Sequence, residues 1–454
     1  MGVYPFSTYV LRKYYQATGW NEDNLFSNLT RSSDALLDFS VPKGLQFSIS
    51  KAPNALFRTT YTLNALPSLN GSVGYIFSTC ELDLKNSGSV RFKDVVERFK
   101  VYGIPKKPEG KEEEWLAGRR VDTRDYLLSG LLYIPTGQLD AFYTTRWSRT
   151  TQLSAACILT PPASSTPGSR YQSSLSSSDT MLLGLQHDTG RWGTEYTWQA
   201  ESGGGSMLGL RVLRNFGKMG NGGGDATVVD DPATKEVSSN LKRVDEEDAM
   251  EGGLKGRLSA GAELYLSTEK SAGVSAGIRF TTLPDSALAQ STASSSSSSS
   301  SSKQPFLQPP TICTATFTPI TGHLSAAYAA KVSRDLALCS RFTFNINSYE
   351  SEWTMGGEWW LRKKRAAVTH VDGPNETPET ALSLSESPDP PLFRPEDEIQ
   401  GVVKARLSTS SDMAFMWEGR IRNALVSFGV ISNLVNRSKP ITAIGLELAY
   451  FSSE

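Results

Sequence analysis

The sequence predicts an all-β fold, a transmembrane antiparallel β-barrel with a short N-terminal helix and long disordered loops, and three observations carry that prediction. About twenty segments alternate apolar with polar or small residues at period two, most of them roughly 9 to 12 residues long, which is what a tilted strand needs to cross a bilayer. No apolar run reaches the roughly 18 residues of a helical span. Long polar interruptions fall at residues 80–124, 160–179, 217–255, 284–310 and 364–400. Counted along the chain, four of these five follow even strands and leave on one rim, a sorting that a soluble sandwich has no reason to show.

Bulk composition agrees without deciding. A chain of 454 residues holds two or three ordinary domains or one large barrel. Hydrophobic residues make up 39% and aromatics 10%, with 38 glycines, a mixture that suits a sheet with rings on one face and small residues on the other. The net charge of -1 offers no bulk attraction to nucleic acid or acidic lipid. Cys80, Cys157, Cys313 and Cys339 form no C-x-x-C pair, which argues against a disulfide scaffold and a zinc site. With only His187, His323 and His370 beside them, no metal site, cofactor site or catalytic residue is expected. The N-terminus lacks a signal-peptide core, and Phe6 stands where myristoylation wants Ser or Thr.

Residues 5–18, PFSTYVLRKYYQAT, set Val10 and Tyr14 at helical spacing, and Gly19 is a ready stop. The expected organisation is a helical segment over 1–30, held in the lumen, and a barrel over 31–454. From residue 34 the period is two. Leu37, Phe39 and Val41 alternate with Asp38 and Ser40; after a Pro42-Lys43-Gly44 turn, Leu45, Phe47 and Ile49 alternate with Gln46 and Ser48. Further strands run through Phe57 to Leu63 and through Val73, Tyr75 and Phe77. Trp192, Tyr196 and Trp198 oppose Glu195 and Gln199, and Leu258, Leu264 and Leu266 oppose Arg257, Ser259 and Glu263. Val274, Ile278 and Phe280 oppose Ser275 and Arg279, and Leu338, Phe342 and Phe344 oppose Arg341 and Thr343. The interruptions carry SSTPGSRYQSSLSSS, GNGGGD, the run Ser294 to Ser302 and PNETPETALSLSESPDPPLFRPEDE, all compositions of loop or disorder.

Candidate sites weigh mostly toward bland readings. Gly273-Val274-Ser275-Ala276-Gly277 matches G-x-S-x-G, but the nucleophile motif needs a strand, a sharp turn and a helix, and here it lies inside an alternating strand, so small lumen-facing residues are the better reading. The glycine clusters 203–206 and 220–225 lack the lysine and frame of a phosphate loop. Inward positions collect Arg257, Arg279, Lys331, Arg341, Arg362, Lys404, Arg406, Arg420 and Arg422 against Glu358, Glu418 and Glu447. A solvated, partly paired interior accounts for them more simply than anion selectivity. Tyr75 and Phe77 on an apolar face meet lipid or form a girdle, or, more sharply, contact a partner laterally. Single cysteines at Tyr75, Tyr265 and Tyr328 are the crosslinking positions that test such wall contacts.

The stretch YVLRKYYQATGWNEDNLFSNLTRSSDALLDFSVPKGLQFSIS, the segment LALCSRFTFNINSYESEW, the run MWEGRIRNALVSFGV and the closing IGLELAYFSS resemble the fungal mitochondrial distribution and morphology protein 10 family, in order and across most strands. The resemblance implies a mitochondrial outer-membrane barrel of porin type with about 19 strands and no catalytic activity. It also implies an anchor of the ER-mitochondria encounter structure, which tethers the organelles and supports phospholipid exchange, and a partner of the sorting and assembly machinery in assembling the import translocase. The implied partners are subunits of these assemblies and membrane lipids, with no nucleic acid. A porin-like solute or polypeptide channel is the alternative. A C-terminal sorting signal of the family falls on Gly445, Leu448 and Tyr450, with Ala443 where a polar residue is usual.

The closing segment AIGLELAYF sets Ile444, Leu446, Leu448 and Tyr450 on one face and Glu447 on the other. In a membrane barrel the first face meets lipid and Glu447 the lumen. Arginine at Leu446 therefore costs about 2–4 kcal/mol if that position is near the bilayer midplane, and carbonate extraction of membranes should release L446R while retaining E447Q. Equal release of both contradicts the assignment.

Overall fold

In a computed structural model, residues 5–103, 124–161, 179–217, 256–268, 271–282, 309–362, 399–435 and 440–453 are described, with a few isolated positions between 105 and 120. All but a two-residue ladder of Trp115–Leu116 against Arg119–Arg120 belong to one 19-stranded sheet closed on itself or to the helices and turns that accompany it. The strands are β1 (Gly44–Ala52), β2 (Phe57–Leu66), β3 (Asn70–Ser78), β4 (Tyr126–Ile134), β5 (Leu139–Arg146), β6 (Thr151–Leu159), β7 (Thr180–Asp188), β8 (Trp192–Glu201), β9 (Ser206–Asn215) and β10 (Gly256–Ser267). They continue as β11 (Ala272–Thr282), β12 (Thr311–Thr318), β13 (His323–Lys331), β14 (Leu336–Asn345), β15 (Ser351–Arg362), β16 (Ile399–Ser408), β17 (Asp412–Ile421), β18 (Ala424–Asn433) and β19 (Ile441–Ser453). Successive strands pair antiparallel. An odd number of such strands leaves the first and last pointing the same way, and β1 closes on β19 in parallel, from Gly44 opposite Gly445 to Ala52 opposite Ser453.

The period-two reading places the faces correctly. Ile49, Tyr61, Leu63, Tyr196, Leu266, Ile278, Tyr328, Phe342 and Ile444 are exposed on the outer wall, while Ser48, Arg58, Glu195, Arg257, Arg279, Glu358, Lys404, Glu418 and Glu447 are buried inside. Glu447 is 1% exposed, so the lone charge of the closing strand faces the lumen. Among the described residues no helix is long and apolar enough to cross a membrane. The closed sheet with its exposed apolar outer wall is the membrane-spanning element.

One expected strand is absent. Leu37, Phe39 and Val41 do not form a ladder; Arg31–Leu37 is a helix, α2, and residues 38–43 are irregular chain leading into β1. Ala35, Leu36 and Leu37 are all buried, because a helix enclosed by a barrel meets apolar surface over a wide arc, and this consecutive burial erases the one-sided stripe by which surface helices are read. Thr30 Oγ1 donates to Asp34 Oδ2 at 2.7 Å across the first turn. Removing that strand gives 19 and shifts every later parity by one. The long connections expected after even strands follow β3, β9, β11 and β15, still on one rim, with 160–179 after β6 on the other.

The lumen holds the chain's own N-terminal region. Helix α1 (Phe6–Thr18) ends at Gly19 in the left-handed region (φ 68°), with Trp20 N–H donating to the Tyr15 carbonyl at 2.9 Å. Its Phe6, Tyr9, Val10 and Tyr14 pack with Ile76 of β3, Leu127 of β4, Trp360 of β15, Val402 of β16, Leu425 of β18 and Phe451 of β19. Only a helix inside the ring reaches the inner face of strands so far apart in the sheet. The same core takes Leu82, Val90, Phe92, Val95 and Val96, so residues 80–103 of the expected 80–124 loop are a second inward insertion, including a turn of helix, α3 (Phe92–Val95). Their apolar spacing outweighs the polar residues that made the stretch read as loop.

Leu37 is fully buried against this interior. L37A should cost about 2–5 kcal/mol locally and speed proteolysis of residues 5–43 in reconstituted protein while the strands stay protected; unchanged cleavage would mean α2 is not held by packing.

Candidate functional site

The lumenal segment is seated strand by strand. A Cβ added at Gly193 of β8 would collide with the Asn24 carbonyl, and one at Gly261 of β10 would sit 2.6 Å from the Phe26 ring. At Gly277 of β11 it would meet Leu29 at 2.5 Å, at Gly356 of β15 Leu37 at 2.8 Å, at Gly429 of β18 Val41 at 2.5 Å, and at Gly445 of β19 the Pro42 carbonyl. Residues 24–42 thus travel around the inner circumference from β8 to β19 and enter β1, and inner-wall glycines supply the clearance. Gly277, the last residue of the G-x-S-x-G match, is one of these seats, and Ser275 donates to Glu263 at 3.2 Å within the strand wall, which continues as strand to Thr282.

Hydrogen bonds hold what the glycines admit. Asn24 Nδ2 donates to Asp188 Oδ1 and to the Gly190 carbonyl, each at 2.8 Å, and Ser27 N–H donates to Glu195 at 3.1 Å. The basic inner-wall residues grip main-chain carbonyls. Arg279 donates to those of Asp23 (3.2 Å) and Asn28 (3.5 Å) and lies 4.0 Å from the Tyr102 ring centre. Arg257 reaches the Gly103 carbonyl, Arg406 that of Leu37 at 2.9 Å, Arg420 those of Gly88 and Val90, and Lys404 that of Glu97 at 2.6 Å. The expectation of a merely solvated, partly paired interior is corrected: these charges satisfy carbonyls that the irregular inserted segments would otherwise bury unpaired. Arg362 pairs with Asp335, Lys331 lies exposed at the end of β13, and Arg422 is an exposed turn residue after β17, outside the inner wall.

Two ionic clusters stand out. Lys404 Nζ lies 3.6 Å from Glu418 with both side chains almost fully buried, while Glu358 accepts from the Phe99 N–H at 3.2 Å and from Trp360 Nε1 at 3.2 Å. Arg341 clasps Asp38 with two bonds of 2.5 and 2.7 Å. Burial raises the Asp34 carboxyl above its ordinary pKa, with Asp38 adding to the rise. Burial acts the same way on Asp38, but Arg341 and Arg406 outweigh it and hold the carboxyl below the usual range. A cavity of about 580 Å³ remains between the inserted segment and the wall, lined among others by Arg31, Asp34, Asp38, Glu97, Lys404 and Glu418.

On the outer wall Tyr75 is exposed and its ring lies over Gly130 of β4, where a Cβ would stand 2.6 Å from Tyr75 Cε1. Phe77 packs 6.0 Å from Tyr126, which lies 5.9 Å from Tyr143, forming an aromatic row near one rim. Tyr328 is also outward, but Tyr265 shares the inner face with Arg257, Ser259 and Glu263 and is no probe of the wall. Of the expected sorting residues, Leu448 and Tyr450 face out and Gly445 faces in. The seats on the inner wall and the insertion at 82–102 escaped the sequence reading; the run Val90, Phe92, Val95, Val96, Phe99 and Tyr102 carried the available signal.

Removing the lysine from the buried pair leaves carboxylates uncompensated. K404M should destabilise the barrel by about 3–5 kcal/mol, and K404M/E418L should recover part of that loss; thermal unfolding in detergent checks both, and a neutral K404M would refute the pairing.

With this geometry in view, relatives can be compared. The family model described as mitochondrial distribution and morphology protein 10 matches residues 3–391 and 380–453. A protein of that name from Postia placenta is 58% identical over 99% of this chain and 100% of its own length, and one from Laccaria bicolor is 57% identical over the full length of both. One from Cryptococcus neoformans var. neoformans is 39% identical over 98% of this chain and 99% of its own. A β-barrel whose seats and inserted segments lie within matched sequence from end to end belongs to the mitochondrial distribution and morphology protein 10 family.

Proposed function

We propose that the chain is an anchor subunit of the ER-mitochondria encounter structure in the mitochondrial outer membrane, at ER contact sites. In this reading it supports organelle tethering, phospholipid exchange and mitochondrial morphology. It also joins the sorting and assembly machinery and helps to assemble outer-membrane barrels and the import translocase. The family's name speaks for mitochondrial distribution and morphology. The observation that carries the anchor reading beyond the name is the occupied lumen: α1, α2 and residues 80–103 fill the interior and are bonded to it on many strands. A barrel so filled satisfies its backbone within the membrane and offers rigid rims and walls to partners, whereas a channel favours a continuous polar path. Tyr75 and Phe77 are the proposed lateral contact, since Tyr75 stands exposed with its ring fixed over Gly130.

A photocrosslinker at Tyr75 should capture a subunit of one of these assemblies in native membranes, and one at Tyr328 on the distant wall should not. Absence of any adduct at Tyr75 and Phe77 overturns the contact. Selective flux through the purified protein in planar bilayers, together with intact organelle contacts after its deletion, would replace the anchor with the channel.

A further inference from the structure

Among the described residues the two rims differ in charge. The rim where β1, β3, β5, β7 and β9 end exposes Lys51, Arg124, Arg191, Arg214, Arg334 and Arg422 against Glu81 and Asp83. The opposite rim exposes Glu201, Glu350, Glu352 and Asp412 against Lys43. On the basic rim part of the charge is built into rings. Arg124 lies 3.9 Å from the Trp147 ring centre, and Arg214 lies 5.0 Å from that of Trp192 and 4.9 Å from that of Phe216. These groups form one arc. Asp188 N–H donates to the Thr150 carbonyl at 2.8 Å, joining the turn that carries Trp147 to the turn that carries Arg191, and Asn215 N–H donates to the Arg191 carbonyl at 2.9 Å, joining that turn to the end of β9.

We propose that this arc binds the phosphate groups of anionic phospholipids at the membrane surface. Arg214 projects from the same outer row as Leu208, Leu210 and Val212, so it stands where the lipid-facing wall passes into the headgroup layer. Tryptophan and other rings favour that depth. A guanidinium stacked on a ring keeps its in-plane N–H groups for the two parallel bonds that a phosphate accepts, and stacking reduces the rotamer freedom lost on binding. Charge complementarity and position together select the lipid over a soluble anion, because the arc opens toward acyl chains on one side and water on the other.

The test uses the full-length protein in phosphatidylcholine nanodiscs with increasing phosphatidylglycerol, with retained lipid counted by native mass spectrometry. At about 1 kcal/mol per basic group near the surface, R191Q/R214Q should lose roughly 30-fold in affinity for the anionic lipid, R214K should be intermediate, and R334Q on the same rim should bind as wild type. Binding should weaken as salt rises. The heat-dependent shift in gel mobility must be unchanged in the variants, which separates lost binding from lost folding. Equal retention of both lipids by the wild type, an equal loss in R334Q, or full competition by inorganic phosphate overturns the proposal.

Discussion

The parallel ladder between β1 and β19 is the constraint on which the rest depends. A sheet in lipid has no water to satisfy an open edge, so it must close, and with 19 strands joined as antiparallel neighbours it can close only in parallel. Closure fixes inside and outside for every strand at once, since side chains alternate with period two. Each outward Ile, Leu or aromatic ring is thereby matched by an inward neighbour that need not be apolar, which is why a chain with negative mean hydropathy can span a membrane.

Closure also creates an interior that must be filled or wetted. This molecule fills it with irregular chain, and irregular chain brings unpaired carbonyls. The inner wall answers with long basic side chains: Arg257, Arg279, Arg406, Arg420 and Lys404 each reach a carbonyl of the inserted segments. The lumenal charge therefore has a local purpose, and the energy of burying it is offset by hydrogen bonds that the inserted backbone would otherwise lack. Phe6, Tyr9 and Tyr14 on one side and Leu36 and Leu37 on the other add apolar packing, so the insert is held by both means.

What was legible in the sequence follows from the range of each interaction. Strand faces were legible, because alternation is a local consequence of the pleat; Glu447, Arg279 and Tyr196 all point as the pattern requires. Helix α1 was legible from its spacing and Gly19. Helix α2 was not, because Leu37, Phe39 and Val41 alternate by coincidence and Ala35, Leu36 and Leu37 are buried in succession rather than along one apolar stripe. The glycine seats were invisible for a different reason. Gly277 and Gly356 look like ordinary small strand residues until Leu29 and Leu37 arrive from more than two hundred positions away, and nothing in the local pattern announces that approach. Arg422 read as a wall residue because one extra residue of alternation was granted to β17, where the chain instead turns with φ 54°.

Gly445 is where these lines meet. It opposes Gly44 in the closing ladder, and its missing side chain lets the Pro42 carbonyl pass as the inserted segment leaves the lumen to become β1. Any larger residue would press on the main chain at Pro42 and Lys43, where little can yield. The end of the insert and the last strand of the barrel are therefore seated on the same atoms. Gly445, the glycine of the sorting signal expected with Leu448 and Tyr450, thus has a structural reason to be glycine independent of any recognition.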